Sequence, residues 1–395
     1  MNQNRVKQIQ ERVKGVPICS GHSNKLGRIS FEDLVFVPAQ LAKRPVDYFR
    51  EKIDSTTVIG RNSQKPIELK TPIIIGAMSF GALSKEAKTA LAKASTMAGT
   101  MENTGEGGML PEEREFSKFL IIQYSTGRFG ISEEILKKAD AIEIKIGQGA
   151  KPGQGGLLPG RKATGEIAEI RKVAVGKDIH SPAYHLDIRS VEDLKKRIDW
   201  LRELTGGVPI ILKLGAGDVE NDVKLAVKAN PDIIAIDGME AGTGAGPEVM
   251  VDEVGIPTIA ALSRARKTLE EIRAKQELWI GGGLNKGGDV AKALALGADA
   301  VFFGFPLMVA MGCSYCQLCY LGKCPKGIAT QERELRKNLN IKEASEKVAS
   351  YIKNCTEEIK MIAGACGRNN IHYLAKDDLR ALSEDMAEIT GVALV

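Results

Sequence analysis

The chain's 395 residues are 43% apolar and 27% charged, enough for one large α/β domain with extensions or for two medium domains. Its net charge is only +5, and basic residues alternate with acidic ones along amphipathic stretches such as 191–203, unlike the basic, aromatic-laced surface of a nucleic-acid-binding protein. No apolar run approaches the ~18 residues of a membrane span, and the opening MNQNRVKQIQERVKG lacks the apolar core of a secretory signal. A cytoplasmic protein without nucleic-acid or membrane partners is expected.

Residues 1–71 read as a polar lead-in packed on the domain that begins near residue 72. From Ile73 onward short apolar runs alternate with helical patterns. PIIIGAMSFG precedes the helix-like stretch Lys85–Ala98, ISEEILKKAD leads to AIEIKIGQG, and VPIILKLGAG precedes DVENDVKLAVKAN. DIIAIDG, LWIGGGL and DAVFFGF complete the series. Continuous Ile and Val runs, rather than strict alternation with polar residues, mark strands buried on both faces, as in parallel sheets.

Glycine placement then chooses between parallel-sheet folds. No G-x-G-x-x-G follows the first strand, which speaks against a dinucleotide-binding Rossmann domain. Glycine-rich turns instead come after strand upon strand: GAMSFG, TGEGG, GQGAKPGQGG, GTGAG, GGGLNKGG and FGFP. Ligand contacts from many strand ends describe the C-terminal face of a (β/α)₈ barrel. The predicted layout is a barrel over 72–312, a cysteine segment over 313–327 and a helical extension over 328–395.

GGGLNKGGDV, with glycines before a helix beginning near Asp289, has the composition of a phosphate cradle. GTGAG and FGFP support the same reading. Lys145 in IEIKIG and Lys213 in ILKLG lie in apolar strands, where an ammonium needs an anion or acceptor. Each serves either a local salt bridge or a positive charge beside a flavin or a substrate carboxylate. The long loop KIGQGAKPGQGGLLPGRKATGEIAEIR adds Lys151, Arg161 and Arg171 and suits substrate binding. His180 and His185 flank SPAY and are more simply structural than catalytic.

Four of the seven cysteines follow the spacing Cys313-x₂-Cys316-x₂-Cys319-x₄-Cys324-Pro. Zinc sites usually separate two close pairs by a dozen or more residues, whereas a single dense run ending in Cys-Pro favours iron–sulfur ligation over zinc or regulatory thiols. Cys19, Cys355 and Cys366 stand apart and read as buried small residues.

These motifs together resemble the flavin-binding synthase domain of glutamate synthases, in its stand-alone, archaeal-type form. GAMSFGALSKEA, NTGEGG, STGRFG, IKIGQGAKPGQGG, LPGRK, SPAYHLDIRSVEDL, GTGAGP, GGGLNKGGDV and CPKGIATQ carry the resemblance, in order, over roughly residues 72–385. The resemblance implies a barrel holding FMN beside a 3Fe-4S cluster bound at C-x₅-C-x₄-C. Cys313, Cys319 and Cys324 reproduce that spacing, and Cys316 is additional, so the expected cluster is 3Fe-4S on the three, or 4Fe-4S if Cys316 also ligates. The implied reaction condenses ammonia with 2-oxoglutarate and reduces the imine with hydride from FMN. Carried over by motif, Glu106 and Lys151 would be catalytic, and Lys145, Gln148, Lys151 and Arg171 would bind substrate. Met78, Ser79, Lys213, Gly242, Thr243, Gly244, Gly282, Gly283 and Gly304 would hold FMN.

Two departures shape the expectation. Leu157 stands where bacterial members of the family usually carry glutamine among the 2-oxoglutarate contacts. The first cysteine is Cys19, behind Met1, so the amidotransferase nucleophile of that family is not expected here. Ammonia would come from a separate glutaminase subunit or from solution, and electrons from a ferredoxin or an NAD(P)H-reductase subunit, in an oligomer. The alternatives are a related FMN-dependent amine synthase, such as an N-methylglutamate synthase subunit, and a non-catalytic flavin and iron–sulfur electron carrier.

Overall fold

The computed structural model describes residues 29–244 and 246–395 and, before them, residues 10, 13 and 19–21. Eight parallel strands form one sheet: β1 (Ile73–Ile75), β2 (Met101–Asn103), β3 (Phe119–Tyr124), β4 (Ala141–Lys145), β5 (Ile210–Gly215), β6 (Ile233–Asp237), β7 (Glu277–Gly281) and β8 (Ala300–Phe303). Ladders join them in the order β1-β8-β7-β6-β5-β4-β3-β2. β1 and β2 lie side by side and bring the sheet round to a nearly closed barrel. The expected (β/α)₈ architecture is the one found.

The strands are apolar on both faces because each face meets a different core. Ile142 and Ile144 of β4, Ile210, Leu212 and Leu214 of β5, and Ile234 and Ile236 of β6 point outward into the core shared with the helices. The alternate residues Ile74, Met101, Ile121, Ala141, Ile211, Ile233, Trp279 and Phe302 fill the barrel. Period-2 alternation thus persists, hidden because both partners are apolar.

The helices after the strands include α1 (Lys85–Ala98), α2 (Pro111–Phe116), α3 (Glu133–Leu136), α4 (Gly165–Arg171), α5 (Val191–Thr205), α6 (Val219–Ala229), α7 (Thr258–Glu271), α8 (Gly287–Ala295), α9 (Phe305–Ala310) and α10 (Ile341–Ala365). α10, the longest, packs against both α1 and α8, the place of an eighth barrel helix. The cysteine segment therefore lies between β8 and the helix that closes the outer ring. Among the described residues no helix is long and apolar enough to cross a membrane.

The described part of the lead-in is tied down at both ends of the barrel. An antiparallel hairpin, Thr57–Ile59 with Ile67–Leu69, puts Ile59, Ile67 and Leu69 into the barrel's interior core and plugs its N-terminal end. Glu277, at the start of β7, accepts the Arg61 amide at 2.7 Å. At the other end Cys19–Ser20 pairs with Gly246–Pro247, and the Thr243 amide donates to the Gly21 carbonyl at 2.9 Å.

Between α1, β2 and α2 lies a fully buried charge triad. Lys88 Nζ stands 2.9 Å from both Glu102 Oε1 and Glu113 Oε1 and donates to the Asn103 carbonyl at 2.9 Å. Ser117 Oγ donates to Glu102, and Glu113 accepts the Leu110 amide. The triad therefore fixes both ends of the loop 103–110.

Candidate active site

Glu106 sits at the C-terminal mouth of the barrel, in the loop after β2. Its Oε2 is 3.0 Å from Lys145 Nζ at the end of β4, and its Oε1 is buried without a hydrogen-bond partner. Burial pushes the carboxyl up, but the Lys145 ammonium and the Ser181 and Ser125 hydroxyls outweigh it, and the net shift is downward. A half-buried carboxylate thus stays charged, with its buried Oε1 free to accept a hydrogen bond.

Lys145 is positioned by its own backbone. His185 Nε2–H donates to the Lys145 carbonyl at 2.8 Å, and Arg128 donates to His185 Nδ1, so both ring nitrogens are satisfied in one neutral tautomer. The ring stacks on Tyr124 at 6.0 Å, and Asp187 bridges Arg128 and Arg197 at 2.8 Å each. Burial, with Arg128 beside it, lowers the His185 pKa to about 4. A base whose folded pKa lies below its unfolded value near 6.5 opposes folding in acid. Stability should decline as pH falls from about 6.5 towards 4, by up to about 3 kcal/mol. Urea unfolding at pH 5 and pH 7 checks this, and His185→Gln should flatten the difference.

Arg171, the last residue of α4, is buried and donates through Nη2 to the Phe80 carbonyl at 2.7 Å, the Glu106 carbonyl at 3.0 Å and Ser79 Oγ at 3.4 Å. It ties the loop after β1 to the loop after β2. Gly107 is held to glycine by this contact, since a Cβ there would stand 2.6 Å from the guanidinium. Met78 and Ser79 are half-buried at the same mouth, and a Cβ on Gly105 would stand 2.6 Å from the Ser79 amide nitrogen. Gln148 and Lys151 come after β4, where the Lys151 amide donates to the Gln148 carbonyl at 3.3 Å. Lys151 is buried and Gln148 half-buried. Leu157 is 37% exposed and adjoins Gly156, at which a Cβ would stand 2.9 Å from Glu106 Oε2.

Below the mouth the barrel interior is charged. Lys213 of β5, register partner of Lys145, has Nζ 3.3 Å from Asp237 of β6 and 3.8 Å from Glu143 of β4, with the Phe302 ring 5.4 Å away. Gln123 donates to Glu143 at 2.6 Å. Burial opposes the ammonium, but Asp237 and Glu143 together raise its pKa, so Lys213 stays charged. Gln123, Glu143 and Asp237 are absent from the sequence-based expectations. The signal available was that Glu143 lies two residues before Lys145, on the same face of one strand.

The glycine loops separate by role. Gly282 and Gly283 succeed β7 with φ of 115° and 72°, a left-handed turn reserved for glycine. A Cβ at Gly304, after β8, would meet nothing within 4 Å, and one at Gly244 only Ala82 at 3.6 Å. Protein packing does not demand glycine at these two positions, which leaves room for a ligand to approach the backbone closely. The N-terminus of α8 differs from the sequence expectation. Its Gly287 amide is already capped by Glu358 at 2.7 Å, and a Cβ at Gly287 would stand 2.3 Å from the Cys355 carbonyl oxygen of α10. A carboxylate holds the place foreseen for a phosphate, and Gly287 serves helix packing.

In the cysteine segment Cys324 is buried and Cys313, Cys316 and Cys319 are half-buried. Burial raises the Cys313 and Cys319 thiols. Cys324 and Cys316 raise both further, and Cys313 itself acts on Cys319. Cys313 and Cys319 thus each lie near the other three thiols. Among the described residues no three His, Cys, Asp or Glu side chains stand close enough to hold one metal ion. The four thiols of the segment supply the donor chemistry that an iron–sulfur cluster takes. Tyr315 and Gln317, on either side of Cys316, adopt φ of 55° and 57°, and the Tyr315 amide donates to Cys313 Sγ at 3.4 Å. Cys355 and Cys366 are buried, as expected; the side chain of Cys19 lies outside the described residues.

The segment is bolted to the loop after β1. Ser84 Oγ donates to the Gly327 carbonyl at 2.6 Å, and its amide donates to the Ile328 carbonyl at 2.7 Å. Gln331 Nε2 donates to the Leu83 carbonyl at 2.9 Å. On its other side Arg161 and Lys162 donate to the Tyr320 and Cys319 carbonyls at 2.8 and 2.5 Å.

Residues 21–369 match the family described as a conserved region in glutamate synthase. A glutamate synthase large subunit-like protein of Rhizobium meliloti is 42% identical over 92% of this chain and 87% of its own length. The archaeal glutamate synthase (NADPH) of Archaeoglobus fulgidus is 39% identical over 97% of this chain and 80% of its own. Among solved structures a mandelate oxidase variant with a monooxide FMN adduct superposes with a TM-score of 0.59 at 16% identity, covering 95% of this chain and 96% of that one; this is a likeness of fold. By its sequence over most of its length, and by the barrel on which that sequence is arranged, the chain belongs to the glutamate synthase family of oxidoreductases.

Proposed function

We propose that the chain is an FMN and iron–sulfur synthase subunit that aminates 2-oxoglutarate reductively, with ammonia from a separate glutaminase subunit or from solution. Electrons would come from a ferredoxin or from a reductase subunit using the NADPH named for its relatives. The observation that carries this is the half-buried Glu106–Lys145 pair at 3.0 Å, with the buried Glu106 Oε1 unpartnered.

The residues fit both cofactors: Gly282, Gly283, Gly304 and the 242–244 turn for the FMN phosphate, Met78, Ser79 and Lys213 for its ring, and the neighbouring thiols for the cluster. Bound FMN would supply hydride to the imine carbon and be recharged one electron at a time through the cluster. The chain's own side chains do the rest. Lys145 and Lys151 neutralise the substrate carboxylates, with Gln148 adding a polar contact. Glu106 accepts a hydrogen bond from ammonium, takes its proton, and so frees the amine to attack the keto carbon. Addition moves one N–H proton to the keto oxygen, and the proton held by Glu106 completes the water that leaves as the C–O bond breaks and the C=N bond of the protonated imine forms. Arg171 is the positioning residue that keeps Glu106 and Ser79 in one frame.

For the cluster, Cys313, Cys319 and Cys324 form the three-ligand set, and Cys316 is the thiol that would convert it to four. Unchanged iron content and EPR spectrum in Cys316→Ser would leave the three-cysteine cluster. Leu157, adjoining Gly156, which packs against Glu106, keeps methylamine as a second amine to test. The reduced holoprotein is mixed anaerobically with 2-oxoglutarate and either ammonium or methylamine, and flavin absorbance is monitored. Faster reoxidation with ammonium supports the reading, faster reoxidation with methylamine favours the related amine synthase, and none with either removes both.

A further inference from the structure

We propose that Lys162 is the counter-ion of the iron–sulfur cluster and that its charge raises the cluster's reduction potential. The inference rests on the proposed iron–sulfur role of the cysteine segment.

Lys162 is 4% exposed. Its Nζ donates to the Cys319 carbonyl at 2.5 Å, and among the described residues it has no carboxylate within ion-pair distance, unlike the buried Lys88 and Lys213, each paired with Glu or Asp. The charged or ionisable groups acting on it are Arg161 and the Cys319 and Cys324 thiols. A buried ammonium without an anion is costly. The thiolates of a metal-loaded segment are the anions within reach, and a cluster on three or four of them carries net negative charge.

Local geometry holds the lysine there. It ends a 3₁₀ turn, Gly160–Lys162, whose Gly160 amide is fixed by Asp178 at 2.6 Å. Arg161 grips the next carbonyl, that of Tyr320, at 2.8 Å and lies over the Tyr320 ring. The lysine stem runs past Gly322, where a Cβ would stand 3.2 Å from Lys162 Cε. The ammonium is thus set against the loop between Cys319 and Cys324 by contacts on both sides.

On reduction the cluster takes one electron, supplied in the test by dithionite through mediators, and its net charge falls by one with no bond made or broken. A fixed positive charge in a poorly solvated site favours that reduced state. The experiment is an EPR-monitored redox titration of the reconstituted holoprotein, as wild type, Lys162→Met, Lys162→Gln and Lys162→Arg, with iron content and flavin potential measured alongside. Lys162→Met should lower the cluster's reduction equilibrium constant about tenfold, a shift of about 59 mV to more negative potential. Lys162→Arg should restore it, and the flavin potential should move much less. If Lys162→Met fails to hold iron, Lys162→Gln, which keeps a donor for Cys319 without the charge, must show the same shift. An unchanged potential in a neutral variant with full iron content overturns the proposal. A wild-type chain that assembles no cluster refutes the parent reading, and that result is distinct from the first.

Discussion

Glu106→Gln is expected to lower the turnover number for glutamate formation by about 10²- to 10⁴-fold, the range of a positioned general base, while the KM for 2-oxoglutarate changes far less. The substitution keeps shape and hydrogen-bonding capacity but removes the charge that Lys145 holds in place at 3.0 Å. Amide nitrogen or oxygen at this position cannot take the ammonium proton. Because Glu106 is held below the ordinary carboxylate range despite burial, the wild-type rate should not fall through loss of this charge between about pH 6 and 8. Steady-state kinetics of both proteins, with circular dichroism to show that both are folded, decide the matter. Equal losses in turnover and in 2-oxoglutarate affinity would instead make Glu106 a binding residue.

Lys88→Met should destabilise the fold by about 3–5 kcal/mol, the usual effect of removing one partner from a buried ion pair. Glu102 and Glu113 would then face each other at a site with no solvent exposure. The triad already leans towards holding a proton: burial first, then Glu113, push Glu102 up to about 8, against the pull of Lys88 and Ser117. An acid whose folded pKa lies above its unfolded value near 4.5 takes up a proton on folding. Its contribution to stability is complete below about pH 4.5 and is lost as pH rises through about 8. His185 acts in the opposite sense below about 6.5, so from about 4.5 to 6.5 the two oppose each other. Urea titrations across pH measure this directly. The triad anchors both ends of 103–110, so activity in Lys88→Met should fall together with stability. Neutralising the triad as Lys88→Met with Glu102→Gln and Glu113→Gln should recover part of the loss.

The barrel was legible because its strands are short Ile and Val runs with a glycine turn at each C-terminal end, and both signals are local. Lys145 and Lys213 stood out as charges within apolar strands, and both roles open to them are compatible with the geometry: each lies in a salt bridge, and both face the barrel mouth or interior. Their partners were harder to see. Asp237 lies at the end of a different strand, and its ion pair with Lys213 depends on the register of β5 and β6. Arg171 and Lys162 pair with backbone carbonyls, which leave no trace in side-chain identity, at sequence separations of 91 and 157 residues. Gly287 looked like part of a phosphate loop because the helix it packs against, α10, begins more than fifty residues later. The cysteine segment was recognisable from spacing alone, but its hydrogen bonds to Ser84 and Gln331, which couple it to the loop after β1, depend on tertiary structure.

In the proposed function that coupling would join an electron entry point to a reductive amination site in one chain, and a single-turnover experiment probes the pairing. The fully reduced holoprotein is mixed anaerobically with 2-oxoglutarate and ¹⁵N-ammonium, quenched, and its amino-acid product weighed by mass spectrometry. Reductive amination by this chain requires ¹⁵N-glutamate to form in step with flavin reoxidation, one molecule per electron pair. Flavin reoxidation that leaves glutamate without ¹⁵N would rule it out.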